Sequence, residues 1–277
     1  MELAARICEL EGGYRTLITP GGQSAIALIN FAFLKSGDHI LVPQSVYGPN
    51  REFANGVMRR FGVDVGYYDP LLGCGIASLI RQNTRLVWCE SPGSITMEVQ
   101  DVPAISEAAH AAGALLVLDN TWSAGVYFDA FAHGVDVSMQ AITKYIGGHS
   151  DLLLGSVTAK NQDAWQKIGS HQQMLGYSVA PDDCSLALRG IKTLAVRLKE
   201  IESSALAIAR RLRERPEIER VLHPALDSCP GNEFWRRDFS GSAGVFSIVF
   251  RPAFSKEQVL RFVDSLKLFR SVIAGPA

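Results

Sequence analysis

The stretch that most restricts the fold of this chain is Leu115 to Asp119, a continuous apolar run closed by a carboxylate. Successive apolar residues without polar alternation describe a strand covered on both faces, which is the situation of a central strand in a parallel sheet with helices on either side. A second short run, Val135 to Ala141, follows Phe131 to Gly134 and is expected to lie beside the first. Lys144 comes just past its end, in a turn that holds Gly147 and Gly148. Asp119 and Lys144 are therefore expected at the carboxyl edge of the sheet, where ligands of such sheets bind.

The rest of the chain up to Lys144 alternates strand and helix, which predicts a mostly parallel sheet flanked by helices. Met1 to Glu11 has Leu3, Ile7 and Leu10 on one helical face, and Gly12 and Gly13 end it. Expected strands are Tyr14 to Thr19, His39 to Val42, Val63 to Tyr68, Leu86 to Cys89 and Leu152 to Thr158. Expected helices are Gln23 to Leu34, Phe53 to Phe61, one ending over Ser78 to Gln82, and Val102 to Ala112. From Ala164 onward helices dominate, with a long amphipathic one over Leu194 to Arg213 that Pro216 terminates. Ile218 to Leu222 and Val245 to Phe250 read as strands, and Lys256 to Leu266 as a last helix.

A carboxylate and a lysine at one sheet edge suit a cofactor with a basic ring nitrogen and an aldehyde. The carboxylate would hold the nitrogen protonated and the amine would form a Schiff base, which is the chemistry of pyridoxal 5'-phosphate. From the spacing alone, the pair reads more simply as a cap and a solvated loop lysine, because Asp and Lys are common at strand ends. Pro20, Gly21 and Gly22 lead into a helix, and such a turn offers free N–H groups to a phosphate. It matches neither G-x-G-x-x-G nor a P-loop, so a plain tight turn is the other reading. Tyr47 follows the strand His39 to Val42 and so shares the edge with Asp119.

Composition removes several classes of partner. With 27 basic and 28 acidic residues, the formal charge of −1 gives no field for nucleic acid or an anionic membrane. No apolar run reaches transmembrane length, and Met1 to Gly13 carries Glu2, Glu9 and Glu11 where an export signal would be basic and then apolar. A cytoplasmic location is expected. The five cysteines are scattered without C-x-x-C spacing, which fits a reducing compartment. The six histidines form no H-E-x-x-H set, so no metal is expected.

Several segments carry a family resemblance. They are V-Y-G-P at Val46 to Pro49, E-S-P-G-S-I-T-M-E-V-Q-D-V-P-A-I at Glu90 to Ile105, D-N-T-W-S-A-G from Asp119, Q-A-I-T-K-Y-I-G-G-H-S-D from Gln140, and N-E-F-W-R-R-D-F-S-G-S at Asn232 to Ser242. Together they span most of the chain, and it resembles the Cys/Met-metabolism family of pyridoxal-phosphate enzymes. The S-I-T-M-E-V segment points to the bacterial β-lyase branch.

The resemblance implies an aminotransferase-like (fold type I) α/β domain over residues 1–190 and an incomplete smaller C-terminal α+β domain over 191–277, divided around Leu188 to Leu194. It implies that Lys144 binds the cofactor aldehyde and then serves as base. Asp119 would pair with the ring nitrogen, and Tyr47 would stack on the ring and help with proton traffic. The backbone N–H groups of Gly22 and Gln23 would hold the phosphate with Thr143. Many relatives have a serine at the position of Ala141 and an asparagine at that of Ser94, so one phosphate contact is expected to be absent and Ser94 is given no catalytic role.

The implied activity is β-elimination of L-cystathionine to homocysteine, pyruvate and ammonia, in a homo-oligomer that the family builds as a homotetramer from dimers. Another carbon–sulfur lyase or a γ-synthase is the alternative, and so is a chain that keeps the fold with little activity. In complete relatives, a tyrosine and an arginine for the neighbouring subunit's phosphate come from an N-terminal portion, and the arginine for the substrate carboxylate from a C-terminal one. These have no matching position here.

Overall fold

Apolar runs bounded by glycine and polar turns become the strands of a seven-stranded sheet, seen in a computed structural model that describes residues 2–267. Its strands are β1 (Arg15–Thr19), β2 (His39–Pro43), β3 (Asp64–Tyr68), β4 (Thr84–Glu90), β5 (Leu115–Asp119), β6 (Val137–Gln140) and β7 (Gly155–Ala159), in the order β1-β7-β6-β5-β4-β2-β3. β7 runs antiparallel to both of its neighbours, and every other pairing is parallel. The helices are α1 (Glu2–Glu11), α2 (Gly22–Phe33), α3 (Gly48–Phe53), α4 (Val102–Ala111), α5 (Gln162–Met174), α6 (Pro181–Ile191) and α7 (Leu194–Arg213). None of the helices among the described residues is long and apolar enough to cross a membrane.

The central strands lack polar alternation because both of their faces are covered. Leu86, Trp88 and Val117 pack with Ile26 and Ile29 of α2 on one face, while Val87, Cys89, Leu116 and Leu118 pack with Val102 and Ile105 of α4 on the other. A third cluster joins Leu3 and Ile7 of α1 to Ile142 and Ile146, next to Lys144, and to Leu194 and Leu198 of α7. α4 begins where Asp101 accepts the Ala104 N–H and Pro103 occupies the first turn, a position that needs no amide donor.

One buried polar pair interrupts the apolar layer under the sheet. The Trp88 indole N–H donates to Asn30 Oδ1 at 3.2 Å, and Asn30 Nδ2 donates to the Ile26 carbonyl at 2.9 Å. Replacing Asn30 by the near-isosteric Leu is expected to leave the indole N–H without an acceptor and to cost about 1–3 kcal/mol. Urea unfolding checks this, and adding Trp88→Phe should recover most of the loss. An unchanged midpoint in the single variant would sink it.

The remaining chain forms a separate pair of antiparallel strands, β8 (Ile218–Leu222) and β9 (Ser247–Phe250), with α8 (Asn232–Asp238) between them and α9 (Lys256–Asp264) after them. Ala209 of α7, Ile218, Val221 and Leu226 make a small apolar cluster of their own there.

Some sequence expectations shift. The helix expected over Phe53 to Phe61 begins at Gly48, because Pro49 suits a first helical turn, and it continues as a π-helical turn over Ala54–Met58. The helix placed to end over Ser78 to Gln82 is a 3₁₀ turn over Gly73–Leu79. The strand expected from Leu152 starts at Gly155, since Leu154 is bonded instead to Thr143 through both its N–H and its carbonyl. α8 had no helical expectation, and Met1 and 268–277 lie outside the described residues.

Candidate active site

Parallel strands bring their carboxyl ends to one edge, and the residues just past those ends form the site. β4 and β5 are in register so that Glu90 faces Asp119, and β5 and β6 pair Asp119 with Met139, two residues before Ala141. Tyr47 follows β2 at the N-cap position of α3 and is 44% exposed. Lys144 is exposed in the turn after β6, and its ammonium has no hydrogen-bond or ion-pair partner among the described residues. Gly22 opens α2 against this turn: a Cβ added there would lie 3.1 Å from the Ala141 Cβ.

This arrangement passes a test of fit for pyridoxal phosphate. Gly21 offers no side chain to cap α2, the first intrahelical bond runs from Ala25 N–H to the Gly21 carbonyl, and the N–H groups of Gly22 and Gln23 therefore have no acceptor within the helix. Together with the helix dipole they make an anion site, and a side chain at Gly22 would intrude on Ala141. The Gln23 amide donates to the Pro49 carbonyl and ties this helix start to the segment that carries Tyr47. The Thr143 hydroxyl is engaged differently from expectation, since it donates to the Leu154 carbonyl at 3.0 Å and accepts the Leu154 N–H at 3.1 Å. A phosphate contact by this hydroxyl would require it to turn from that carbonyl.

Ala141 is the position at which relatives were expected to carry serine, and its closeness to Gly22 gives this difference a measurable consequence. Ala141→Ser would place a hydroxyl beside the start of α2. One added hydrogen bond is worth about 0.5–1.5 kcal/mol net, so the dissociation constant of pyridoxal phosphate is expected to fall about two- to tenfold in equilibrium dialysis. An unchanged constant would show that the hydroxyl does not reach the bound group.

The electrostatics of the edge are set by two carboxyls. Asp119 Oδ1 accepts the Thr121 N–H at 3.0 Å, and Thr121 Oγ1 accepts the Ala141 N–H at 2.9 Å, fastening the ends of β5 and β6 together. Desolvation raises the Asp119 carboxyl above its ordinary range, with Thr121 pulling in the opposite direction. Glu90 is deeper, only 7% exposed, and burial followed by the neighbouring charge of Asp119 pushes it up to about 8.

The turn carrying Lys144 is braced from behind. Arg197 donates to the carbonyls of Tyr145 at 2.7 Å, Ile146 at 3.3 Å and Gly190 at 2.8 Å. A Cβ at Gly190 would lie 2.4 Å from the carbonyl oxygens of Ile146 and Gly147, so only glycine lets α6 approach this turn so closely. The Tyr145 hydroxyl accepts the N–H groups of Gly244 and Val245 and links the turn to the approach to β9. Sequence reading overlooked Arg197 and Glu90. Glu90 ends a strand as Asp119 does, and that rule would have found it, while nothing local marks Arg197.

The gathered geometry has counterparts among known proteins. The family described as "Cys/Met metabolism PLP-dependent enzyme" matches residues 1–274. A putative cystathionine beta-lyase of Saccharomyces cerevisiae is 46% identical over 261 residues, covering 94% of this chain and 76% of that protein. The cystathionine beta-lyase of Haemophilus influenzae is 44% identical over 265 residues, covering 95% of this chain and 67% of that one. Among solved structures, cystathionine gamma synthase from Xanthomonas oryzae pv. oryzae, in complex with aminoacrylate and cysteine, superposes with a TM-score of 0.92 at 31% identity, covering 98% of this chain and 69% of that one.

Proposed function

The chain belongs to the Cys/Met-metabolism family of pyridoxal-phosphate-dependent enzymes, and from that premise we propose a carbon–sulfur lyase that performs β-elimination on L-cystathionine. The observation that carries this reading is the unpartnered, exposed Lys144 ammonium at the same sheet edge as Asp119 and the open start of α2. Bound pyridoxal phosphate supplies an electron sink for the pair left at Cα when its proton is removed.

The protein's own groups do the rest. Gly22 and Gln23 hold the phosphate by backbone N–H groups, with Thr143 near them, and the helix dipole adds to the attraction. Asp119 keeps a proton on the ring nitrogen. Tyr47 would cover the ring face, and Lys144 would bind the cofactor aldehyde. The Lys144 amine would take the Cα proton of the substrate. The C–S bond at Cβ then breaks with its electron pair on sulfur, and a proton delivered from the site completes homocysteine. Water converts the remaining three-carbon unit to pyruvate and ammonia.

The same proposal divides the chain near residue 190, with residues 1–190 holding the cofactor and 191–277 forming the second unit. The separate β8–β9 sheet with its own apolar cluster supports this division. It also includes a cytoplasmic location and a homo-oligomer, the latter supported by large exposed apolar side chains, Ile95 next to Ser94 and Leu153 near Gly21. The deciding experiment adds pyridoxal phosphate to the purified chain, follows its absorption, and then adds L-cystathionine. Pyruvate with homocysteine supports the β-lyase, 2-oxobutyrate with cysteine would replace it by a γ-lyase, and an unchanged spectrum would end the cofactor reading.

A further inference from the structure

Glu90 is a buried carboxyl of the edge to which the proposed chemistry gives no task, and it stands beside Asp119. Its Oε2 accepts the Tyr47 N–H at 2.6 Å, and its Oε1 accepts the Ser94 hydroxyl at 2.5 Å. Its own N–H donates to Gln100 Oε1 at 2.8 Å, and Gln100 in turn donates to the Tyr68 hydroxyl at 3.0 Å. The carboxyl is therefore fixed at both oxygens, with its backbone held by a buried amide. Asp119 stands opposite it in the adjoining parallel strand, so that both side chains leave the sheet on the same side.

Two carboxyls so placed, one of them 7% exposed, do not both ionise without an opposing cation, and the described residues put no lysine, arginine or histidine in contact with Glu90. We propose that Glu90 is a positioning residue: it pins Tyr47 and Ser94 to the end of β4 and, as the neutral member of the carboxyl pair, leaves the single negative charge on Asp119. Burial and then Asp119 raise Glu90 to about 8 against the lowering by its Ser94 and Tyr47 hydrogen bonds, and in the neutral acid the short contact to Ser94 is made by the Glu90 O–H donating to the Ser94 Oγ. Asp119 is the titratable group that faces it, from β5. The β2–α3 connection contributes the Tyr47 N–H, and the segment after β4 contributes the Ser94 hydroxyl. Ser94, which sequence comparison left without a role, thus acts on Glu90 rather than on the ring.

This inference rests on the assignment of Asp119 and Tyr47 to the cofactor, but its first test does not. Infrared spectra of the protein as purified, without added cofactor, should contain a protonated-carboxyl band at pH 7 that titrates near pH 8 and is missing in Glu90→Gln. Absence of the band in the wild type, or its persistence in Glu90→Gln, would overturn the neutral acid. The borohydride adduct at Lys144 decides the cofactor reading separately.

The second test compares turnover. Gln keeps the acceptor for the Tyr47 N–H without adding charge, whereas Ala leaves that N–H unpaired and frees the ring-covering segment. Glu90→Gln is expected to retain kcat at least about tenfold above both Glu90→Ala and Asp119→Asn, at matched cofactor occupancy. A Glu90→Gln enzyme as slow as Asp119→Asn would show that the negative charge of Glu90 is what the site needs, and the proposal would fall.

Discussion

Replacing Lys144 by Ala is expected to lower pyruvate formation from L-cystathionine by about 10⁴-fold and to abolish any borohydride-fixed pyridoxyl adduct. Two separate losses produce this. The first is the amine proposed to attach the cofactor, and among the described residues no second lysine stands at this edge: Lys160 lies beyond β7 and Lys192 at the end of α6. The second is the proposed base for the Cα proton, and a positioned base contributes about 10²–10⁴-fold on its own. The phosphate grip at the start of α2 is untouched, so the variant should still bind pyridoxal phosphate in dialysis. That retained binding is what separates a chemical defect from misfolding. Mass spectrometry after borohydride is the check, and an adduct of undiminished yield in the variant would remove Lys144 from its role.

What the sequence disclosed and what it hid divide along a physical line. A strand buried on both faces writes itself into consecutive residues, so β5 was legible from Leu115 to Leu118, and its closing Asp119 came with it. The amphipathic period of α7 gave Leu194 and Arg213 as its ends, as the structure has them. That Tyr47, Asp119 and Lys144 would lie toward one edge was legible because each follows the end of a parallel strand, whereas the roles proposed for them and for Gly22 came from the family resemblance. Contacts between a side chain and a distant backbone leave no such trace. Arg197 reaches the Tyr145 carbonyl from α7, and in the sequence it is only a surface arginine on a helix. The Thr143 hydroxyl is equally silent: its Leu154 partner is fixed by where β7 begins, a boundary that periodicity placed three residues early. Glu90 was overlooked for another reason, since it sat within a motif and the motif absorbed it.

Asp119→Asn is expected to keep the cofactor in place while lowering exchange of the substrate Cα proton by about tenfold to a thousandfold. An opposite charge within a few ångströms is worth about 1–3 pKa units to a protonated ring nitrogen, and that proton makes the ring an electron sink. The amide retains the size of the side chain and can still accept the Thr121 N–H, so the fastening of β5 to β6 survives. Glu90 moderates the loss. Its elevated proton affinity depends partly on the Asp119 charge, so in Asp119→Asn it titrates lower and a larger fraction is ionised at pH 7, restoring some negative charge near the edge. Adding Glu90→Gln to Asp119→Asn removes that substitute. The double variant should therefore exchange the Cα proton more slowly than Asp119→Asn, although Glu90→Gln alone is the milder change. Deuterium exchange followed by NMR at equal cofactor occupancy measures all three, and exchange by Asp119→Asn at the wild-type rate would take the electron-sink role from Asp119.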